Sequence, residues 1–279
     1  MTALTERADF LDFITRPDAA IDLAGAALLL ARDEYPDLDV AAYHERLAIM
    51  VAKARSRTAG AGDNPFAVID ALNEYLFGEE GFSGNHAEYF DPRNSYLNDV
   101  LDRKRGIPIS LSVIYIEIAS GVGFPVEGVG FPGHFLVRHS GGGRDILIDP
   151  FHAGEILLPE DCRKRLSAAY GDDMRLEPRF FETAGKLAIL ARMLHNLKHL
   201  YMKSQDHARA LRVIDRLIAI SPRDPQHLRD RGQANAGLGR YASASADLQR
   251  YLAQCPEADD RTAVEKQIKS LRRLSALLN

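Results

Sequence analysis

Over the first 90 positions, apolar residues recur at helical spacing and are interrupted by turn residues. After Pro17 and Asp18 comes an apolar-rich stretch, densest over 21–31, that reads as a buried helix. A second helix should begin after Asp39, whose carboxylate can cap first-turn amides, and run through Leu47 and Met50 to about Arg55. Residues 56–63 (SRTAGAGD) form a small-residue loop, and Asn64 and Pro65 open a third helix over 66–77. Residues 78–92 are a polar connection carrying Asn85 and His86.

The pattern then changes. Residues 110–120 are apolar apart from Glu117 and small hydroxyls, and Gly121 and Gly123 stop the run, which predicts a buried helix. Short apolar runs follow at 126–130, 135–139 and 146–148. Gly141-Gly142-Gly143 joins the last two, which predicts a hairpin. One helix on an antiparallel sheet is an α+β core.

A third pattern occupies the tail. Pro222 and Pro256 lie 34 residues apart, the period of a tetratricopeptide unit. Aligned on them, the first unit places Leu194, Leu197, Tyr201, Ala210, Ile214 and Leu217 at packing positions. The second places Leu228, Gly232, Ala244, Leu248 and Tyr251 there, with Gly239-Arg240-Tyr241 at its turn. Lys198, Arg231 and Asn235 depart from the repeat, so both units are degenerate. A last helix over 262–278 should cap the stack. The expected organisation is a helical region over 1–92 packed on the core, an α+β core over 93–180, and repeats plus a capping helix over 186–279.

Composition narrows the class. With 46% hydrophobic and 27% charged residues, the 279-residue chain suits a soluble globular protein with a sizeable core. Its acidic and polar start is no signal peptide, and the absence of an 18-residue apolar run predicts no membrane span. Cys162 and Cys255, far apart in sequence, suit a reducing compartment, hence a cytoplasmic location. Residues 183–279 hold 17 Lys or Arg against 9 Asp or Glu, whereas the remainder holds 18 against 30. These charges either coat solvated helix faces or fit the tail to an acidic or peptide-like protein partner. No aromatics interleave with them, so no nucleic-acid binding is expected.

Three stretches stand out chemically: 105–112 (RGIPISLS), 130–135 (GFPGHF) and 148–151 (IDPF). The stretches that carry a family resemblance are 94–97 (NSYL), 105–112, 128–137 (GVGFPGHFLV) and 149–154 (DPFHAG). The order of helix start, histidine and aspartate resembles the transglutaminase-like fold, in which a cysteine, a histidine and an aspartate form a papain-type triad. With the repeat tail, the chain more closely resembles the SirB1 family, over residues from about 10 to the end. That resemblance implies a transglutaminase-like α+β core followed by tetratricopeptide repeats, in a bacterial cytoplasmic protein of poorly defined biochemistry.

Such chemistry needs a thiol activated at a helix start, a histidine to take its proton, and a carboxylate to fix the histidine tautomer. His134 and Asp149 fit the last two roles, on the two arms of the predicted hairpin. Counting back from Gly123 places the nucleophile near residues 108–110, where there is no cysteine. Ser110, the nearest hydroxyl, reads as a cap, a ligand contact or a nucleophile, while Ser112 reads as buried and Cys162 as structural. Any residual chemistry would use Ser110, His134 and Asp149 as nucleophile, base and orienter. The expectation, however, is that Ser110 pairs with a backbone amide one to three residues ahead while His134 and Asp149 stay paired.

Asn94 and Tyr96 either orient the site or cap a helix. Arg105 pairs with a ligand carboxylate or with the acidic N-terminal region. Gly133 allows close backbone approach beside His134. His134, His139 and His152 could converge, but their spacing matches no zinc signature. Gly141-Gly142-Gly143 lacks the Lys and Ser/Thr of a phosphate loop, and the glycines at 128, 130 and 133 do not open a helix. No metal and no cofactor are therefore expected. The leading expectation is a transglutaminase-like protein lacking the catalytic cysteine, with an interaction or regulatory role. The alternative is a hydrolase or acyl-transfer enzyme acting on peptide or amide bonds through Ser110, His134 and Asp149.

Overall fold

The computed structural model describes residues 10–141 and 144–277. The chain divides into two compact units, Met1–Met193 and Leu194–Asn279.

The first unit opens with α1 (Phe10–Ile14), α2 (Leu23–Ala31), α3 (Val40–Thr58) and α4 (Pro65–Asn73). Every residue of α2 is buried. Asp39 caps α3 by accepting from the Ala42 amide at 3.1 Å, and Asn64 caps α4 by accepting from Phe66 at 3.1 Å. α3 runs past its expected end at Arg55, into the segment read as loop. There Arg57 bonds Glu79 at 2.7 Å, and Arg55 donates to the Gly121 carbonyl at 2.7 Å. The third helix ends as α4 at Asn73 and continues as wider π-helical turns, Glu74–Glu79.

β1 (Ser83–Gly84) follows, then α5 (Leu97–Arg103), β2 (Arg105–Gly106) and α6 (Pro108–Gly121). The parallel β1–β2 pair was not foreseen from the polar 78–92 segment, because two residues give no periodicity to read. Next come β3 (Glu127–Val129), β4 (Leu136–Gly141), β5 (Arg144–Asp149), β6 (Glu155–Leu157), α7 (Pro159–Tyr170), β7 (Thr183–Ala184) and α8 (Lys186–Lys203). The larger sheet is antiparallel, in the order β6-β5-β4-β3-β7. β4 and β5 form the expected hairpin; the Gly142-Gly143 part of its turn lies outside the described residues. Leu136 packs with Leu157, Cys162 and Leu166 under α7. Strand alternation turns Val137 to the opposite face, where α6 packs on the sheet. The start of α8 is fixed by the N-terminal region: Asp18 accepts from the amides of Lys186 and Leu187, both at 2.9 Å.

One polar group within α6 has a measurable consequence. Partial burial of Glu117, reinforced by the Asp22 carboxylate and opposed by Lys186 and the Ala24 amide, pushes its carboxyl up to about 7. The folded form therefore holds a proton that the unfolded chain releases near its ordinary value of 4.5. Stability should fall as pH rises from about 4.5 to about 7 and level off above. Glu117→Gln should remove that slope and raise stability at pH 8 by on the order of 2 kcal/mol, a linkage value discounted for partial exposure. Urea unfolding of both proteins at pH 5 and pH 8 checks it, and equal slopes would refute it.

The second unit begins within α8 and continues with α9 (His207–Ile220), α10 (Pro225–Gly237), α11 (Tyr241–Gln254) and α12 (Arg261–Leu277). The expected end at Leu278 lies outside the described residues. Leu194, Leu197, Tyr201, Ala210, Ile214, Leu217, Ala244, Leu248 and Tyr251 are all buried. Leu228 packs partly buried against the same cluster as Leu248. A Cβ at Gly232 would stand 2.8 Å from the Leu248 side chain, so only glycine lets α10 and α11 approach this closely.

The degenerate positions have partners. Arg231 forms two hydrogen bonds with the buried Asp247, at 2.9 and 2.7 Å, and Asn235 donates to the same carboxylate at 3.2 Å. Lys198 pairs with Asp230. Carboxylate partners thus meet the polar side chain at each position where the repeat pattern breaks.

Candidate functional site

Strand register assembles the site. Val137 pairs with Ile148, so the residues just before β4 lie beside Asp149, the last residue of β5. Asp149 in turn pairs with Glu155 on β6. Its side chain is fully buried, and its two oxygens do different work. Oδ1 accepts from the amides of Phe151 and His152, at 3.0 and 3.3 Å, closing the Asp-Pro turn. Oδ2 lies 2.8 Å from His134 Nε2 and 2.8 Å from His152 Nδ1, and accepts from Arg165 Nη1. Arg165 also reaches Glu155, at 2.5 Å.

The turn beyond Asp149 requires Gly154, which has φ +77°. A Cβ there would meet the Asn73 amide at 1.9 Å. Asn73 donates to the Gly154 carbonyl at 2.9 Å, which ties α4 to the site.

His134 is held on its other side by a tight turn. Gly133 adopts φ +65°, the His134 amide donates to the Phe131 carbonyl at 3.0 Å, and Arg192 of α8 donates to the carbonyls of Phe131 and His134. The Phe151 ring stands edge-on to the His134 imidazole, with centroids 5.9 Å apart. His152 and His86 complete an imidazole group around Phe151.

Burial alone would raise the Asp149 carboxyl. The hydrogen bond and charge of His134, the bond from His152 and the Arg165 guanidinium outweigh it and hold the carboxyl below the usual carboxylate range. An ionised Asp149 can only accept, so in the neutral His134 ring Nε2 carries the proton and Nδ1 is the basic nitrogen. That is the polarity a general base needs.

Ser110 does not join this pair. It is fully buried, and its hydroxyl accepts from the Ile107 amide at 3.1 Å and donates to the Asn94 carbonyl at 2.6 Å or the Ile107 carbonyl at 3.1 Å. The hydroxyl turns to a backbone amide, but three residues toward the N-terminus rather than ahead. The reason is that α6 begins at Pro108, which makes Ser110 a third-position residue bonding back to the cap. Ser112 is buried, and its hydroxyl has no hydrogen-bond partner among the described residues.

The Asn94 side chain does not cap α5. It bonds Asn85 at 3.0 Å and the Glu88 carbonyl at 2.7 Å, and so shapes the loop that carries His86 and Tyr89. Tyr96 stands at the cap position of α5 without a side-chain cap bond, edge-on to Tyr35. Arg105 is exposed on β2 and makes no ion pair with the acidic N-terminal region among the described residues. Cys162 is buried under the sheet, where burial raises its thiol.

His134 and His152 do converge, whereas His139 stands apart, stacked on Phe124. Arg165 and Asn85 were not anticipated as members of the site. His152 was legible only as one of three histidines that could converge, and helix α7 carries no local mark of Arg165's role.

Residues 41–195 match the family described as transglutaminase-like superfamily, and residues 197–269 match the tetratricopeptide repeat. A "UPF0162 protein" of Xylella fastidiosa (strain 9a5c) is 42% identical over 245 residues, covering 87% of each chain. A "UPF0162 protein" of Vibrio cholerae is 30% identical over 253 residues, 90% of this chain and 93% of the relative. Human "F-box only protein 21" is 40% identical over 103 residues, 34% of this chain and 16% of that protein.

Proposed function

Because the chain belongs to the transglutaminase-like superfamily and to the UPF0162 proteins, we propose that it is a superfamily member without the catalytic thiol, serving an interaction or regulatory role through its core and repeat tail. The carrying observation is Ser110, whose hydroxyl is committed to backbone groups on both its donor and acceptor sides. A serine needs a well-placed base far more than a thiol does, and this hydroxyl is bonded to the backbone of Ile107 and Asn94 instead. The His134–Asp149 pair persists as a binding and structural feature. Stacked helix pairs present an extended surface to a partner, and the excess of basic residues in the tail suits an acidic or peptide-like one. We place the protein within the SirB1 family and in the cytoplasm. Among the described residues no helix is long and apolar enough to cross a membrane.

The test pairs two measurements. An acyl-fluorophosphonate probe should label the full chain no more than it labels Ser110→Ala. Labelling lost in the variant would establish the enzyme reading, with Ser110, His134 and Asp149 as its residues. Affinity capture with the full chain should recover a defined partner that is lost when residues 206–279 are removed. Capture undiminished by that truncation would overturn the role of the tail.

A further inference from the structure

We propose that His134, Asp149 and His152 form a binding site for a first-row divalent transition metal ion, with Arg165 as its built-in competitor. The proposal does not depend on what the repeat tail binds.

Distance is the first argument. One ligand atom from each of the three residues lies within 4.8 Å of the other two, and His134 Nε2 and His152 Nδ1 each stand 2.8 Å from Asp149 Oδ2. Around a tetrahedral ion with bonds of about 2.0–2.1 Å, ligand atoms stand about 3.3–3.4 Å apart. The two nitrogens therefore need to withdraw from the oxygen by about half an ångström and settle about 3.3–3.4 Å from each other, and His134 must move its ring proton from Nε2 to Nδ1 to free the ligating nitrogen.

Donor type is the second argument. Two imidazoles and a carboxylate suit zinc, cobalt or nickel rather than magnesium or calcium, which take oxygen ligands. Three protein ligands leave a fourth position for water or a ligand.

Support from the surroundings is the third. Asp149 Oδ1 is fixed by two backbone amides, so its other oxygen has a set direction. His134 is anchored through its backbone by the Gly133 turn and Arg192. His152 has 40% of its side chain exposed and offers an entry path.

Arg165 is what a metal must displace. Its Nη1 donates to Asp149 Oδ2 and lies 2.8 Å from His152 Nδ1, so it cannot stay there beside a second cation. It has somewhere to go, since its Nη2 already bonds Glu155 on the neighbouring strand. The guanidinium thus holds the carboxylate's charge until an ion takes its place, and removing it should favour the ion.

The experiment uses the full chain, stripped with chelator, and follows Co²⁺ by its visible absorption and Zn²⁺ by calorimetry. One ion per chain should bind, with nitrogen ligation in the cobalt spectrum. His152→Ala, which alters an exposed side chain and should leave the fold intact, and His134→Ala should each weaken binding at least about tenfold. Arg165→Gln should tighten it by about tenfold, and His139→Ala should leave it unchanged. Absence of saturable binding, binding indifferent to His152→Ala, or Arg165→Gln binding no tighter than the native chain would each overturn the proposal.

Discussion

Asp149→Ala should lower the stability of the first unit by about 3–5 kcal/mol, the cost of removing one partner from a buried charge network. Three separate losses converge on this figure. The amides of Phe151 and His152 lose their acceptor. Arg165 loses its buried carboxylate partner and keeps the more exposed Glu155. The His134 and His152 rings lose the oxygen that orients both. Asp149→Asn retains an oxygen for the two amides and should recover part of the loss. Chemical denaturation read by near-UV dichroism would measure both variants. A loss below about 1 kcal/mol for the alanine form would mean that the network is ornamental to the fold.

The second large effect belongs to the repeat unit. Leu248 is fully buried, packs among Tyr251, Val264 and Ile268, and contacts the bare backbone of Gly232. Leu248→Ala should cost about 2–5 kcal/mol, because the cavity opens where two helices already touch and cannot easily close. In a stack where each repeat supports only its neighbours, the loss should appear as exposure of α10 to α12 to hydrogen exchange. The amides of β3 to β6 should keep their protection. Uniform loss of protection over the whole chain would show that the repeat unit does not open separately.

Much of the fold was legible because it rests on local signals. Asp39 and Asn64 sit where a carboxylate or amide caps a helix, and both do so. The hairpin followed from two apolar runs around glycines, and the repeats from one proline spacing. The His134–Asp149 pair was readable because both residues lie at hairpin ends that register brings together. What could not be read came from distant sequence. Arg165 reaches Asp149 across a turn, a strand and half a helix. Asn73 fastens the Gly154 turn from 81 residues away. The extension of α3 depends on Glu79 and Gly121, neither of which is visible in the helix's own pattern. The polar departures in the repeats looked like decay until Asp247 supplied one carboxylate for both Arg231 and Asn235.

The cap that Asp18 provides to α8 spans 168 residues. A ribosome adding about 5–20 residues per second needs roughly ten to thirty seconds to deliver Lys186 after Asp18. Arg192, which grips the loop bearing His134, arrives later still. Throughout that interval the nascent chain carries α2, a helix whose every residue is destined for the interior, without the final element of its unit. Chaperone contact during synthesis should therefore centre on residues 21–31 and end when α8 clears the exit tunnel. A stalled chain of about 180 residues should be bound where the released protein is not.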